Sequence, residues 1–366
     1  MMIKPDPSAA EAAVLGGSVL GGGGGGWIKD GLEMARLAID VGEPRIVSVD
    51  EVPEDATVVT VSAVGSQAAE GRFLKPVHYV RAVTLLAERT DIAINGLISS
   101  ENGAVGTVNG WFQSAALDIP VVDAPCNGRA HPTGVMGSMG LDSLEGFVSL
   151  QAAVGGNPET GNYVEMFVEA SLGKAASIVR YASSSAGGVV AVARNPIDVG
   201  YVKTNGAPGA VRQAIEVGRA LQQERGKGAR VTINSVVDVL QGTIVMEGTV
   251  EEVALETVGG FDVGKVRIVG DSHRQCELTF WNEYMTLELE GMRVATFPDL
   301  IATMSLESGL PLISGEIVRG QRVAVFYTPK ENLRLGAGMR DPKLFRRVEA
   351  VIKKPIVEYV FRSSDA

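Results

Sequence analysis

The chain has 366 residues, 45% hydrophobic and 21% charged, a globular composition long enough for two domains of about 100–200 residues each. Its 43 acidic against 33 basic residues give a net charge of −10, and without a concentrated basic face a nucleic-acid partner is not expected. No apolar run reaches the roughly 18–20 residues of a membrane helix, and the start MMIKPDPSAAEAAV lacks the layout of a secretory signal, so a soluble cytoplasmic protein with no membrane partner is expected.

The first half alternates helix and strand signals. Met34, Leu37, Ala38 and Val41 recur at i, i+3, i+4 and i+7, which predicts a helix over 30–41 with one buried face. Residues 46–49 give a short strand signal, and 58–64 a nearly continuous Val/Ala run, as in a strand covered on both faces. Pro76 opens a helical pattern to about residue 89, followed by a strand at 92–98, a helix at 106–117 and a strand at 119–123. This alternation predicts an α/β fold with a mainly parallel sheet and flanking helices in the N-terminal half. Residues 163–181 read as one long helix, 189–193 as a strand and 210–223 as an amphipathic helix. After Gly228, stretches such as ARVTINSVVDVL, GTIVMEGTVEEVALE and CELTFWNEYMTLELEG are rich in β-branched residues, which predicts a β-rich C-terminal domain. The expected division is 1–170 for the α/β domain and 171–366 for a mixed, then β-rich domain.

Six glycines, 21–26, stand just before the first of these helices. Consecutive glycines can turn several backbone N–H groups, here those of Gly22, Gly23, Gly24 and Gly25, toward one point at a helix N-terminus, where the dipole adds partial positive charge. Two other readings compete. Gly21, Gly23 and Gly26 with Asp50 satisfy a dinucleotide fingerprint, although six glycines satisfy any glycine pattern, and the run could equally be a close helix–sheet crossing without a ligand. A nucleotide-binding P-loop is excluded because no Gly-Lys-Ser/Thr follows.

The segment DAPCNGRAHPTG begins at the predicted carboxyl end of a strand, where open α/β sheets bind ligands. Asp123, Cys126, Arg129 and His131 are its candidate catalytic groups. Asp123 could instead cap a turn, and Cys126 could be a packed small hydrophobe. Beside Arg129 and His131, however, the Cys126 thiol is expected to have a lowered pKa. Arg129 suits planar recognition of a carboxylate or imide, and His131 suits acid/base or metal duty. No cofactor is established by the pattern. A divalent metal such as zinc, held by Asp123, Cys126 and His131, is an open alternative whose spacing matches no strong motif. Cys126 and Cys276 lie far apart and form no disulfide framework.

The glycine run in LGGGGGG, the segment VVDAPCNGRAHPTGVMGSMGL and the later FWNEYM, ATFPDLIATMS and GQRVAVFYTP, in that order, resemble the S-methyl-thiohydantoin desulfurase domain family over roughly residues 12–350. The resemblance implies a hydrolase acting on a hydantoin-like heterocycle, with loss of a thiol from an S-methyl-thiohydantoin. It also implies substrate contacts at Asn127, Gly128, Asn282 and Glu283 beside the glycine run. The alternative it leaves open is a non-catalytic accessory or ligand-binding partner of a hydantoinase/oxoprolinase-type enzyme. A homo-oligomer is expected.

Overall fold

The computed structural model describes residues 2–65, 69, 71–258 and 261–361. Its elements begin with α1 (Pro7–Leu20), α2 (Ile28–Val41), β1 (Ile46–Val47), β2 (Thr57–Gly65), α3 (Pro76–Thr90), β3 (Gly96–Ser99), α4 (Trp111–Leu117), β4 (Val121–Val122), β5 (Ser149–Gly155) and β6 (Val164–Ala170). There follow α5 (Leu172–Ser185), β7 (Val189–Asp198), α6 (Val199–Asn205), α7 (Ala210–Gln223) and α8 (Ala229–Val239). The C-terminal part comprises β8 (Thr243–Val258), β9 (Phe261–Gly270), β10 (Gln275–Trp281), β11 (Glu283–Leu289), β12 (Met292–Thr296), β13 (Leu300–Ser305), β14 (Pro311–Leu312), β15 (Arg322–Thr328), α9 (Pro342–Ile352) and α10 (Val357–Val360). Among the described residues no helix is long and apolar enough to cross a membrane.

The first sheet has the order β1-β4-β3-β2-β7-β5-β6. Strands β1, β4, β3 and β2 pair in parallel, whereas β2–β7, β7–β5 and β5–β6 are antiparallel. The sheet is therefore mixed, which corrects the expectation of a mainly parallel one. Helices α3 and α4 connect the parallel strands β2, β3 and β4, and α5 connects β6 to β7. Between β5 and β6 no α-helix intervenes, and such a short connection joins antiparallel neighbours. Side chains alternate across this sheet. Val59, Val61, Ala152 and Ala191 pack under α3, while Ala153, Val190 and Val192 face α5.

Two local expectations are also corrected, and one helix is added. The long helix over 163–181 is a strand, β6, followed by α5, because Val164, Met166 and Val168 alternate onto the α5 side with Val179 and Val190, leaving Glu165 and Glu169 on the other face. ARVTINSVVDVL is helix α8 rather than strand. Ile233, Val236 and Val237 recur at helical spacing and pack into the core with Ala214 and Leu221 of α7, so the burial pattern outweighs β-branched content. Helix α1, unread in the sequence, is capped by Asp6, whose side chain accepts from the amide of Ala9, and starts at Pro7. It crosses α7 at backbone contact. A Cβ on Gly16 would stand 1.8 Å from the carbonyl oxygen of Ala214, and one on Gly218 1.8 Å from that of Ala12.

The second sheet is antiparallel throughout, in the order β12-β11-β10-β9-β8-β15-β13-β14. Leu300, Ala302, Met304, Ala324 and Phe326 on one face of β13 and β15 join Leu15, Val19 and Leu20 of α1 with α7 and α8 in one core. Ile301, Val323 and Val325 on the opposite face pack with Leu278, Phe280 and Tyr284. Helix α1 thus fastens the β-rich half to the rest, and the turn that follows α1 is carried to the seam between the sheets.

Candidate active site

That turn is the glycine run. The carbonyl of Gly22 accepts from the amide of Tyr284 at 2.7 Å, that of Gly23 from Ser314 at 2.9 Å, and that of Gly25 from Val105 at 2.9 Å, so both halves of the molecule clamp it. The amides of Gly23, Gly25 and Gly26 make no hydrogen bond with any described residue. They sit beside the N-terminus of α2, where dipole and free donors favour negative charge. Gly22 adopts φ +55°, and a Cβ on it would lie 2.6 Å from Nη2 of Arg129. A Cβ on Gly24 would lie 2.0 Å from Oε1 of Glu283. The run joins two helices, so the strand–turn–helix context of a dinucleotide fingerprint is absent, and Asp50 pairs at 2.7 Å with Lys203 on the surface.

Under the loop lies a cavity of about 330 Å³ with walls from both sheets. Glu101, two residues past the end of β3, and His131 face it together. Oε2 of Glu101 accepts from the His131 amide at 3.2 Å and stands 3.3 Å from His131 Nε2. Burial pushes the Glu101 carboxyl up to about 7, against the His131 amide and the nearby Arg194 and Arg129, which favour its ionised form. Burial pulls His131 down to about 4, so the imidazole is neutral near pH 7. Its Nε2 faces two acceptors, Glu101 and the carbonyl of Ser100 at 3.4 Å, which assigns the proton to Nε2.

Glu283, at the start of β11, is 3% exposed and its Oε2 has no hydrogen-bond partner among the described residues. Desolvation, then repulsion from Glu101, raise its pKa well above the carboxylate range, and Arg129 opposes them. Arg194 on β7 is 5% exposed, lines the cavity, and makes no hydrogen bond or ion pair with any described residue. A bulge beside it, where Asn195 takes φ +53°, shifts the β2–β7 register and re-aims the strand. Burial lowers its pKa, with Cys126 and Glu101 acting in the other direction.

Of the residues singled out in the sequence, His131, Gly23, Gly24, Gly25, Asn282 and Glu283 line this cavity, while Gly22, Asp123, Cys126, Asn127, Gly128 and Arg129 do not. Asp123 accepts from the amide of Val211 at 2.8 Å and lies 3.3 Å from Arg212, which fixes the start of α7. Cys126 is buried with Sγ 3.2 Å from Oγ1 of Thr60. The expected lowering of its pKa is reversed, because loss of water pushes the thiol up to about 11, outweighing Thr60 and Arg194. Asn127 donates to the Arg129 carbonyl at 2.8 Å and accepts from the amide of Gly336 at 3.1 Å. Gly128 is pressed against Arg334, whose carbonyl oxygen would be 1.9 Å from an added Cβ. Arg129 is fully buried and turns its fork on carbonyls of its own chain, those of Ala130, Pro298 and Asp299, while stacking 4.5 Å from the ring centroid of Phe297. Asn282, at φ +56°, accepts from the amide of Asp262 at 2.9 Å and turns the chain into β11. Asp123, Cys126 and His131 do not converge. Among the described residues no three His, Cys, Asp or Glu side chains are grouped to hold a metal ion, so a zinc site on that triad does not fit.

Residues 9–160 match the family model described as S-Me-THD-like, N-terminal domain, and residues 171–340 the model of the S-Me-THD-like, C-terminal domain. The chain belongs to the S-Me-THD-like family. None of the curated proteins matches it. A crystal structure of a protein from Chromobacterium violaceum is 22% identical, with 96% of each chain covered and a TM-score of 0.74, a likeness of fold alone. In this S-Me-THD-like protein, the cavity groups missed in the sequence include Glu101 and Arg194. Both left a signal. Glu101 in ISSENG follows a predicted strand as Asp123 follows its own, and Arg194 is a lone charge in the apolar run VVAVARNP.

Proposed function

We propose that this protein is a hydrolase that removes a thiol from an S-alkylated thiohydantoin and leaves a hydantoin. The observation that carries the reading is the Glu101–His131 pair facing one cavity with glycine amides and an Arg194 that have no hydrogen-bond partner among the described residues. A volume of about 330 Å³ suits one small heterocycle. A carboxyl that titrates near 7 is suited to take a proton from water at neutral pH. Neutral His131, with Nε2–H toward Glu101, orients that base. Water adds to the carbon between the two ring nitrogens, and the C=N electrons move to nitrogen. The glycine amides stabilise the negative charge that develops there and on the ring, while Arg194 holds the ring carbonyl. The C–S bond then breaks, the added oxygen becomes the new carbonyl, and the two water hydrogens end on ring nitrogen and on the released thiol.

The test is purified protein alone with S-methyl-thiohydantoin, thiol release being followed with Ellman's reagent. Release without a second protein supports the hydrolase and rejects an accessory role. No release across hydantoin, thiohydantoin and S-methyl derivatives overturns it.

With water as nucleophile, Cys126 makes no covalent intermediate. Cys126→Ser should keep turnover within about threefold, since a buried thiol titrating near 11 holds little thiolate. A substrate adduct on Cys126 seen by mass spectrometry would reinstate the thiol as nucleophile.

A further inference from the structure

Glu283 has no task in the steps above, yet it is a buried carboxyl that lines the same cavity. The Gly24 backbone lies against Oε1, where an added Cβ would stand 2.0 Å away. Its Oε2 has no hydrogen-bond partner among the described residues, in a residue that lines the cavity and is 3% exposed. The charged groups within electrostatic reach are Glu101, Arg129 and Arg180. Arg129 directs Nε and Nη1 at carbonyl groups, while its Nη2 has no hydrogen-bond partner among the described residues, and Arg180 stacks 4.0 Å from the ring centroid of Phe261. Two neighbouring buried carboxyls do not both ionise readily. The His131 amide hydrogen bond favours charge on Glu101, which leaves the proton on Glu283.

We propose that Glu283 is the general acid that hands its proton to the departing sulfur. The assignment rests on the hydrolase reading and deepens it. An alkanethiolate is a strongly basic leaving group in a site stripped of water, and proton transfer to it as the C–S bond breaks removes that cost. The step balances. The C–S electron pair goes to sulfur, sulfur takes the Glu283 proton, and the hydroxyl on the tetrahedral carbon gives its proton to Glu283 as the new carbonyl forms. Glu101 passes the proton first taken from water to ring nitrogen, so both carboxyls return to their starting states.

The experiment compares two substrates that differ only in the leaving group, S-methyl- and S-(4-nitrophenyl)-thiohydantoin, on the parent and on Glu283→Gln. The nitrophenyl thiolate leaves without a proton. The variant should lose about 10²-fold in kcat with the methyl substrate and less than about threefold with the nitrophenyl one. An equal loss with both overturns the assignment while leaving the hydrolase reading intact. If the parent releases thiol from neither substrate, the hydrolase reading itself falls. Should the Gln variant fail to fold by circular dichroism, the parent alone decides: log kcat across a thiol series is nearly independent of thiol pKa if the leaving group is protonated, and a slope approaching −1 rejects Glu283 as acid.

Discussion

Glu101→Gln should lower turnover by about 10³-fold or more, because a positioned base is worth about 10²–10⁴ and the amide also loses the orienting contact with His131. The pH profile of the parent gives an independent reading. Since Glu101 must be ionised and titrates at about 7, kcat/KM should rise with pH through that value. A profile flat between pH 5.5 and 8.5 would remove Glu101 from the base role. Stability should move the opposite way to activity. The folded-state pKa of Glu101 lies above its unfolded value, so its contribution to stability is present below about 4.5 and is lost as pH rises through about 7. The Gln variant has no charge to bury. Its melting temperature should therefore exceed the parent's at pH 8 by more than at pH 5, with up to about 3 kcal/mol available. His131 is common to both proteins, and its own titration largely cancels in the difference.

Arg194→Met should reduce kcat/KM by about 10–100-fold, the value of about 1.5–3 kcal/mol for hydrogen bonds to a charged donor. Thermal stability should be unchanged or increased. The parent buries a guanidinium with no hydrogen-bond or ion-pair partner among the described residues, and burial already disfavours its charge. Methionine fills much of the same volume without that cost. Gain of stability with loss of function is the pattern of a group kept for a ligand. A variant that melts well below the parent, with unchanged activity per folded molecule, would make Arg194 a structural residue instead.

The two halves of the segment DAPCNGRAHPTG are used differently. Its first part builds the wall. Asp123 fixes the start of α7, Asn127 ties to Gly336, and Arg129 fills the space behind Gly22. Only at His131 does the chain reach the cavity, where the imidazole meets Glu101. Dense polar chemistry in a Pro/Gly-framed loop is thus a mark of proximity to a site, and it does not say which members face the ligand.

What the sequence determined by itself was local or cumulative. Helical spacing located α2, α3 and α7, Gly punctuation marked the β-rich C-terminal half, and the glycine run stands at a helix N-terminus facing Arg129, since conformational freedom of glycine and side-chain periodicity are properties of neighbouring residues. The family resemblance was legible for the same reason, being carried by short ordered motifs. The remaining features arose from contacts between residues distant in sequence. The antiparallel return of β7 beside β2 made the sheet mixed and brought Arg194 to Glu101 and Cys126. The docking of β11 against the glycine turn set Glu283 near Glu101. The sign of the Cys126 shift was fixed by burial, which in a folded interior outweighs the cationic neighbours that a linear reading counts.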